Sequence, residues 1–427
     1  MKTHTPRGTG DLAAWLAWQE NAHAKAWDLG LERIGRVWQA LGAPRIAEHI
    51  VTVAGTNGKG STVAFSEALC IAHGVSVASL TSPHLLDYRE RIRFDGAKAS
   101  AADLCAAFDA IDAARGDISL TYFEWNALAA FWLMAKRRLQ VAVLEVGLGG
   151  RLDAVNLIDA DAAIFTRIGL DHTDWLGDSL AQIAREKAGI LRAGQTVALA
   201  DATPPPALLE LAQTQARQLW RFGHELRVRA DGDTLDIALP DFHARVAAPA
   251  NMPGAHQHGH LAAALAILGQ WFPLRADAVN RAMHNVRLTG RLMPLTRDGD
   301  WLIDVAHNAD SAEVLAAHLH TLRARYPRIL ILCGMLRDKD QQAVFRTLKP
   351  LADQWFLASL PGERGSRAQD LAAQATLAGI PQDTQHPHAD VTRALAALDA
   401  HAQPGDLRVV MGSFVTVSQV LEHFNHD

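Results

Sequence analysis

A β-branched, apolar run, Val51-Thr52-Val53-Ala54, leads straight into Gly55-Thr56-Asn57-Gly58-Lys59-Gly60-Ser61-Thr62, and a helical pattern follows to about His73. This order of strand, glycine turn and helix constrains the chain more than any other feature. Such a run belongs in a sheet with the helix packed back across it, as in α/β folds. The turn also has a chemical use. Glycines let backbone N–H groups point inward, the helix N-terminus adds positive potential, and a lysine reaches the far end of a polyphosphate. Asn57, Gly58, Lys59, Gly60 and Ser61 are therefore candidate nucleotide contacts. The match to G-x-x-x-x-G-K-[ST] is imperfect, because Gly60 separates Lys59 from Ser61. An ordinary glycine turn is the plain alternative; strand, helix and lysine in place favour nucleotide binding.

With 427 residues the chain is long enough for two or three domains with separate cores. Hydrophobic residues make up 49% and charged residues 20%, the balance of a soluble globular protein. The net charge of −5 gives no electrostatic reason to expect nucleic acid or an anionic membrane as partner. Cys70, Cys105 and Cys333 lie far apart without a C-x-x-C, which fits buried thiols in a reducing compartment better than disulfides or a zinc site. Residues Met1 to Glu20 are polar, are broken by Pro6, Gly8 and Gly10, and lack a signal-peptide core. The most apolar long stretch, Phe123 to Ala135, contains Glu124 and Asn126 and is too short to span a bilayer. A cytoplasmic protein is expected.

Short apolar runs alternate with helical patterns along the chain. The expected strands of the first half are Ile50–Ala54, Val75–Leu80, Val141–Val146, Ala162–Ile168 and Thr196–Ala200. Several lack polar alternation, which suits strands covered on both faces in a parallel sheet. Trp125 to Arg138 reads as a crossover helix, and the segment around Asp231-Gly232 as a peripheral hairpin. A second α/β series begins near Trp301, with strands at Trp301–Val305, Arg328–Leu332, Trp355–Ala358 and Leu407–Met411. Pro294 to Asp300 is the best linker candidate. The expected organisation is α/β, with an N-terminal P-loop ATPase domain on a mostly parallel sheet (residues 1–293) and a smaller Rossmann-like C-terminal domain (residues 294–427).

In open parallel sheets, ligands gather at the carboxyl ends of strands. Glu145 ends one such strand, beside Gly147-Leu148-Gly149-Gly150-Arg151-Leu152-Asp153, and can hold Mg²⁺; a buried Glu paired with an arginine is the bland alternative. Arg151 and Asp153 can bind substrate or simply pair with each other. His172, in Asp171-His172-Thr173-Asp174, follows another strand and offers a metal or phosphate ligand, although a lone histidine is more often structural. Ser82 follows the second strand and can give Mg²⁺ a hydroxyl. Lys187 lies in a helical pattern, where a lysine is usually a solvated charge. In the second half Asp304-Val305-Ala306-His307-Asn308 ends a strand, Gly290-Arg291 precedes the linker, and Gly412-Ser413-Phe414 ends the last strand.

Together these segments resemble the folylpolyglutamate synthase branch of the Mur ligase superfamily. The resemblance adds Thr81-Ser82-Pro83-His84-Leu85, Arg185-Glu186-Lys187-Ala188-Gly189-Ile190 and Gly334-Met335-Leu336-Arg337-Asp338-Lys339-Asp340 to those motifs, in order over almost the whole chain. It is nearest to the bifunctional bacterial members, whose dihydropteroate-binding segments are matched by Asp28-Leu29-Gly30-Leu31-Glu32-Arg33 and Leu120-Thr121-Tyr122-Phe123-Glu124.

The resemblance implies an ATP-dependent amide ligase that adds L-glutamate to dihydropteroate and to reduced folates such as tetrahydrofolate through an acyl phosphate. It implies catalytic roles for Lys59, His172, Lys187 and His307, and nucleotide contacts from His260, Arg291 and Asp304 as well as the loop. It puts Mg²⁺, as two ions, on Ser82, Glu145, His172 and a carbamylated Lys187, and the pterin against Asp28, Leu29, Gly30, Leu31, Thr121, Tyr122, Phe123, Glu124, Leu152 and Asp153. The implied partners are small molecules only, for a monomer. Three positions depart from the family pattern: His260 stands for an asparagine, Leu292-Met293 for Phe-Gln, and Ala309-Asp310-Ser311 for Pro-His-Ala. A monofunctional folylpolyglutamate synthase is the nearest alternative. A cell-wall Mur ligase needs a further N-terminal domain, for which the roughly fifty residues before the loop give no room. A non-catalytic ATP sensor would not need Lys59, Glu145, His172 and Lys187 together.

Overall fold

The computed structural model describes residues 5–25 and 28–426, and divides into two compact units. The first runs to Ala248 and resumes over Gln257–Val286; the second takes Pro249–His256 and everything from Arg287. Among the described residues the first unit carries an eight-stranded and a three-stranded sheet, and the second a six-stranded sheet.

The large sheet is built from β1 (His49–Ala54), β2 (Val77–Leu80), β3 (Ile92–Phe94), β4 (Ala97–Lys98), β5 (Val141–Glu145), β6 (Ala162–Phe165), β7 (Thr196–Leu199) and β8 (Gln218–Arg221). Their spatial order is β4-β3-β2-β5-β1-β6-β7-β8. From β2 to β8 all pairings are parallel, and β3 and β4 turn back antiparallel at one edge. The expected continuous apolar runs form its centre, where β2, β5, β6 and β7 are buried throughout. The helices are α1 (Leu12–Gln19), α2 (Glu32–Ala40), α3 (Lys59–His73), α4 (Ala101–Arg115), α5 (Tyr122–Ala135), α6 (Thr173–Leu176), α7 (Leu180–Ala188), α8 (Pro206–Gln215), α9 (Gln257–Leu268) and α10 (Ala276–Asn285). Trp15, Trp38, Phe108, Trp125 and Phe131 fill one core, which holds α1, α2, α4 and α5 together. A second core, with Phe165, Ile183 and Leu199, lies under α7 and α8. Helices α9 and α10 pack on α3. The expected hairpin is part of an antiparallel sheet of β9 (Arg227–Asp231), β10 (Thr234–Leu239) and β11 (Phe242–Ala247).

Helix α5 starts three residues earlier than its apolar pattern suggested. Thr121 Oγ1 accepts the Glu124 N–H, and the Glu124 carboxylate accepts the Thr121 N–H, a reciprocal cap that fixes the first turn at Tyr122.

The second unit orders its strands β12 (Met293–Thr296), β13 (Asp300–Ile303), β14 (Ile329–Cys333), β15 (Gln354–Ala358), β16 (Gln385–His388) and β17 (Leu407–Met411) as β12-β13-β17-β14-β15-β16. The pairings are parallel except β12 with β13. Its helices are α11 (Ala309–Leu322), α12 (Gln341–Leu348), α13 (Ala368–Leu377), α14 (Val391–His401) and α15 (Phe414–His426). The segment 294–300, expected as a linker, is instead an edge hairpin: Pro294 faces Leu302 across the antiparallel pair, an edge position where a missing N–H is tolerated. The main run of the unit begins at Arg287, ahead of the boundary expected after residue 293.

Candidate active site

The glycine loop leaves β1 at Ala54 and enters α3 at Lys59. Gly55 and Gly58 both have positive φ, 151° and 94°. A Cβ on Gly55 would sit 1.8 Å from Thr166 Oγ1, and one on Gly58 would sit 2.2 Å from His260 Nε2. Only glycine fits either position. The loop is stitched to the segment after β6: Thr56 N–H donates to Arg167 O at 2.8 Å, and Thr56 Oγ1 both donates to Gly169 O and accepts its N–H. That segment carries His172 three residues further on, in a left-handed conformation at the start of α6.

Two lysines converge on one carbonyl. Lys59 Nζ donates to Gly55 O at 3.0 Å and to Thr56 O at 3.2 Å. Lys187 Nζ, from the last turn of α7, donates to the same Gly55 O at 2.9 Å. Lys187 is buried, and burial, reinforced by the Lys59 charge, pulls its amine down to about 7. The helical pattern alone made Lys187 an ordinary solvated lysine. Tertiary packing removes it from water, because Gly150 lets the glycine loop after β5 lie against the backbone of Glu186 and Lys187.

Glu145 ends β5 and is buried, and one of its oxygens accepts the Ser82 N–H at 3.2 Å. This brings two of the expected magnesium donors together. Among the described residues, no three His, Cys, Asp or Glu side chains come together as a metal-ligating group. A carboxylate and a hydroxyl nevertheless fit magnesium, which is commonly held by one or two carboxylates, substrate phosphates and water. His84, two residues on, accepts from Arg91 Nε at 2.7 Å; burial and the Arg91 charge push its imidazole down to about 4, so it stays neutral.

Arg151 and Asp153 do not pair with each other. Arg151 bridges to Glu186 at 3.1 Å. Asp153 accepts the N–H groups of Leu148 and Val155 at 2.8 and 2.9 Å, and so closes the loop after β5. Burial raises its carboxyl to about 6 despite these donors. Phe123 lies against Gly147, where a Cβ would come within 2.5 Å of the ring. The turn 121–124 therefore borders the loop 147–153. Asp28 meets the same turn through Arg33, which ends the Asp28–Arg33 segment but was given no role of its own; an arginine five residues after an aspartate carries no signal of a contact 91 positions away. His260 lies on α9 with its ring against Gly58 and Nδ1 within 3.0 Å of Gln257 Oε1.

In the second unit, Asp304, Arg291 and His307 come together at the end of β13. Asp304 accepts the N–H groups of Leu292 and Ala306, each at 2.7 Å; burial raises its carboxyl against the opposing pull of Arg291. The Arg291 guanidinium lies 5.7 Å from the centre of the Phe414 ring, and His307 lies 6.4 Å from the same ring.

A phosphate loop with two converging amines and an oxygen-donor pair beside it suits a nucleotide-dependent enzyme, and the family models make the class an ATP-dependent acid–amino-acid ligase of the Mur type. Comparison with known proteins agrees. Residues 53–268 match the Mur ligase middle domain and residues 290–414 the Mur ligase glutamate ligase domain. The chain is 38% identical over 418 residues to the dihydrofolate synthase/folylpolyglutamate synthase of Escherichia coli K12, covering 98% of this chain and 96% of that one. Among solved structures, E. coli FolC in complex with DHPP and ADP superposes with a TM-score of 0.92 at 37% identity, covering 99% of both chains. The bifunctional enzyme of Yersinia pestis complexed with AMPPNP and Mn superposes with a TM-score of 0.89 at 36% identity, covering 99% of this chain and all of that one. The chain belongs to the dihydrofolate synthase/folylpolyglutamate synthase family of Mur ligases. Among the described residues no helix is long and apolar enough to cross a membrane.

Proposed function

We propose that this chain joins L-glutamate both to dihydropteroate, giving dihydrofolate, and to reduced folates, giving folylpolyglutamates. The observation that carries this is the convergence of Lys59 and Lys187 on the Gly55 carbonyl, at the head of a loop shaped to hold phosphate. In such a ligase the acceptor carboxylate takes the γ-phosphoryl group of ATP. The resulting acyl phosphate is attacked by the amine of glutamate, and the tetrahedral adduct expels phosphate. Phosphoryl transfer depends on positioning and charge neutralisation more than on covalent catalysis. Lys59 and the loop N–H groups serve both ends.

Ser82, Glu145 and His172 would hold Mg²⁺, and a carbamate on Lys187 a second ion. When bound, these ions neutralise phosphate charge and polarise the transferring group. Lys187 suits carbamylation because its amine is substantially neutral near pH 7, and only the neutral amine attacks CO₂, losing a proton as the N–C bond forms. Arg291 and Asp304 are assigned to the nucleotide, His260 to the loop side of the same ligand, and His307 to the incoming glutamate. The pterin is assigned to Asp28–Leu31, Thr121–Glu124, Leu152 and Asp153, and the enzyme to a cytoplasmic monomer.

The test is steady-state ADP release with each acceptor separately, in the presence and absence of glutamate. Glutamate-dependent release with both dihydropteroate and tetrahydrofolate is expected. Release with tetrahydrofolate alone would establish the monofunctional synthase instead.

A further inference from the structure

The segment that enters α2 is irregular: Asp28, Leu29 and Gly30 belong to no helix or strand. Gly30 has a φ of 154°, and Leu31, the N-cap of α2, supplies no side-chain cap. What fixes this segment is a fork. Arg33 Nη1 lies 2.7 Å from Asp28 Oδ2, and Arg33 Nη2 donates to Asp28 O at 2.6 Å and to Glu124 Oε1 at 3.1 Å. Asp28 has two further basic neighbours. His23 Nε2 lies 3.2 Å from Asp28 Oδ2, while its Nδ1 meets Ser119 Oγ at 3.0 Å, and Lys25 Nζ stands 3.8 Å from Asp28 Oδ1.

Glu124 is the anchor. Its side chain is 4% exposed, and its second oxygen accepts the Thr121 N–H at 2.8 Å. Each carboxylate oxygen thus already accepts a hydrogen bond from the protein. Glu124 thereby ties the Arg33 cation to the first turn of α5. Phe123, in the same turn, lies against Gly147.

We propose that Arg33 is a positioning residue for the acceptor substrate. Its guanidinium locks Asp28–Leu31 against the first turn of α5, so that two strips far apart in the sequence form one preorganised surface for the pterin. This rests on the ligase reading above. The role needs a planar fork that addresses a carboxylate, a carbonyl and a second carboxylate together, which an ammonium cannot span. Without it, the binding of acceptor would have to order the segment, and that loss falls on acceptor affinity rather than on the phosphoryl step.

The experiment compares wild type, Arg33→Met and Arg33→Lys by steady-state kinetics, with the dihydropteroate Kd measured by calorimetry. Arg33→Met is expected to raise the KM and Kd for dihydropteroate about tenfold, with kcat within about twofold and the KM for ATP unchanged. Arg33→Lys should recover only part of that loss. It also serves as the reading if Arg33→Met fails to fold, because it keeps the charge opposite Glu124. Acceptor KM and Kd within about twofold of wild type in a folded variant overturn the proposal. A fall in kcat alone, or an equal rise in the KM for ATP, overturns it too. Wild-type protein that binds dihydropteroate but does not ligate it overturns the ligase reading and leaves the Arg33 role to be decided by Kd. Wild-type protein that does not bind dihydropteroate overturns both.

Discussion

Lys187 shows how far one side chain can depart from what its local sequence says. Two opposed effects act on it. Burial and the nearby Lys59 charge disfavour the ammonium, while Asp171, Asp153 and Glu186 favour it, and the first pair prevails. Because its amine falls from 10.5 to about 7 on folding, the unfolded chain binds more protons between those values, so stability rises with pH across that window. Below about 7 the cost of the buried charge is present in full. Lys187→Met should therefore stabilise the ligand-free, CO₂-depleted protein at pH 7 on the order of 2 kcal/mol, after the lost bond to Gly55 O is discounted. The same variant should be inactive. Melting curves at pH 7 and pH 10 check this, and the gain must shrink at the higher pH. A variant that melts below wild type at pH 7 would show that the amine is not an electrostatic burden.

At the scale of elements, the strand–loop–helix unit is tightly determined. Gly58→Ala meets both a left-handed backbone and the His260 ring, so it should lower stability by about 1–3 kcal/mol and weaken ADP binding. Gly74→Ala, at a similar φ of 76° but with open space around it, should cost the backbone term alone and leave ADP binding unchanged. Thermal melts and ADP calorimetry separate the two terms; equal ADP affinity in both variants would remove His260 from the loop's surroundings. Elements such as β1, β5, β14 and β17 were legible in the sequence because strands covered on both faces are written in nearly unbroken Val, Ile, Leu and Ala. Strands β3, β4, β12 and β16 were not. They lie at or next to sheet edges, where Arg93, Lys98, Pro294 and Pro387 are compatible with pairing and leave no apolar pattern. Among the candidate site residues, the motifs singled out Lys59 after a strand and Glu145 and Asp304 at strand ends. The burial of Lys187 and the Arg33 fork arise from contacts between distant segments, which no local pattern encodes.

The whole molecule holds several histidines in places that disfavour their charge. Desolvation lowers His73, His84 and His258 in the first unit and His318, His386 and His388 in the second. His386 and His388 flank Phe356, with His386 stacked on it at 4.8 Å. A histidine lowered on folding binds fewer protons in the native state than unfolded, so stability is lost as pH falls below the unfolded value of 6.5; for His84 the loss runs on to about 4. Asp153 acts in the opposite sense over part of that range, since its raised carboxyl takes up a proton in the native state first. Burial also raises the carboxyls of Glu124, Asp304 and Asp399, which side with Asp153, but the six histidines, with their higher ordinary value, titrate first as pH falls. The melting temperature is expected to fall steadily from pH 6.5 to 5, before ordinary carboxylates titrate, and His388→Phe should flatten the slope. A melting temperature constant to pH 5 would contradict this.

The order in which the chain is made has a consequence of its own. Helix α3, with Val63, Phe65, Leu69 and Cys70 buried, is covered by α9 and α10, and the chain visits the second unit at Pro249–His256 before supplying them. At roughly 5–20 residues per second, the two hundred or so residues between α3 and the end of α10 take about 10–40 s to synthesise. For that interval the apolar back of the phosphate-loop helix emerges from the ribosome without its cover. The nucleotide-loop helix thus gains part of its cover from a stretch of sequence far downstream, and a nascent chain stalled before Gln257 lacks both α9 and α10.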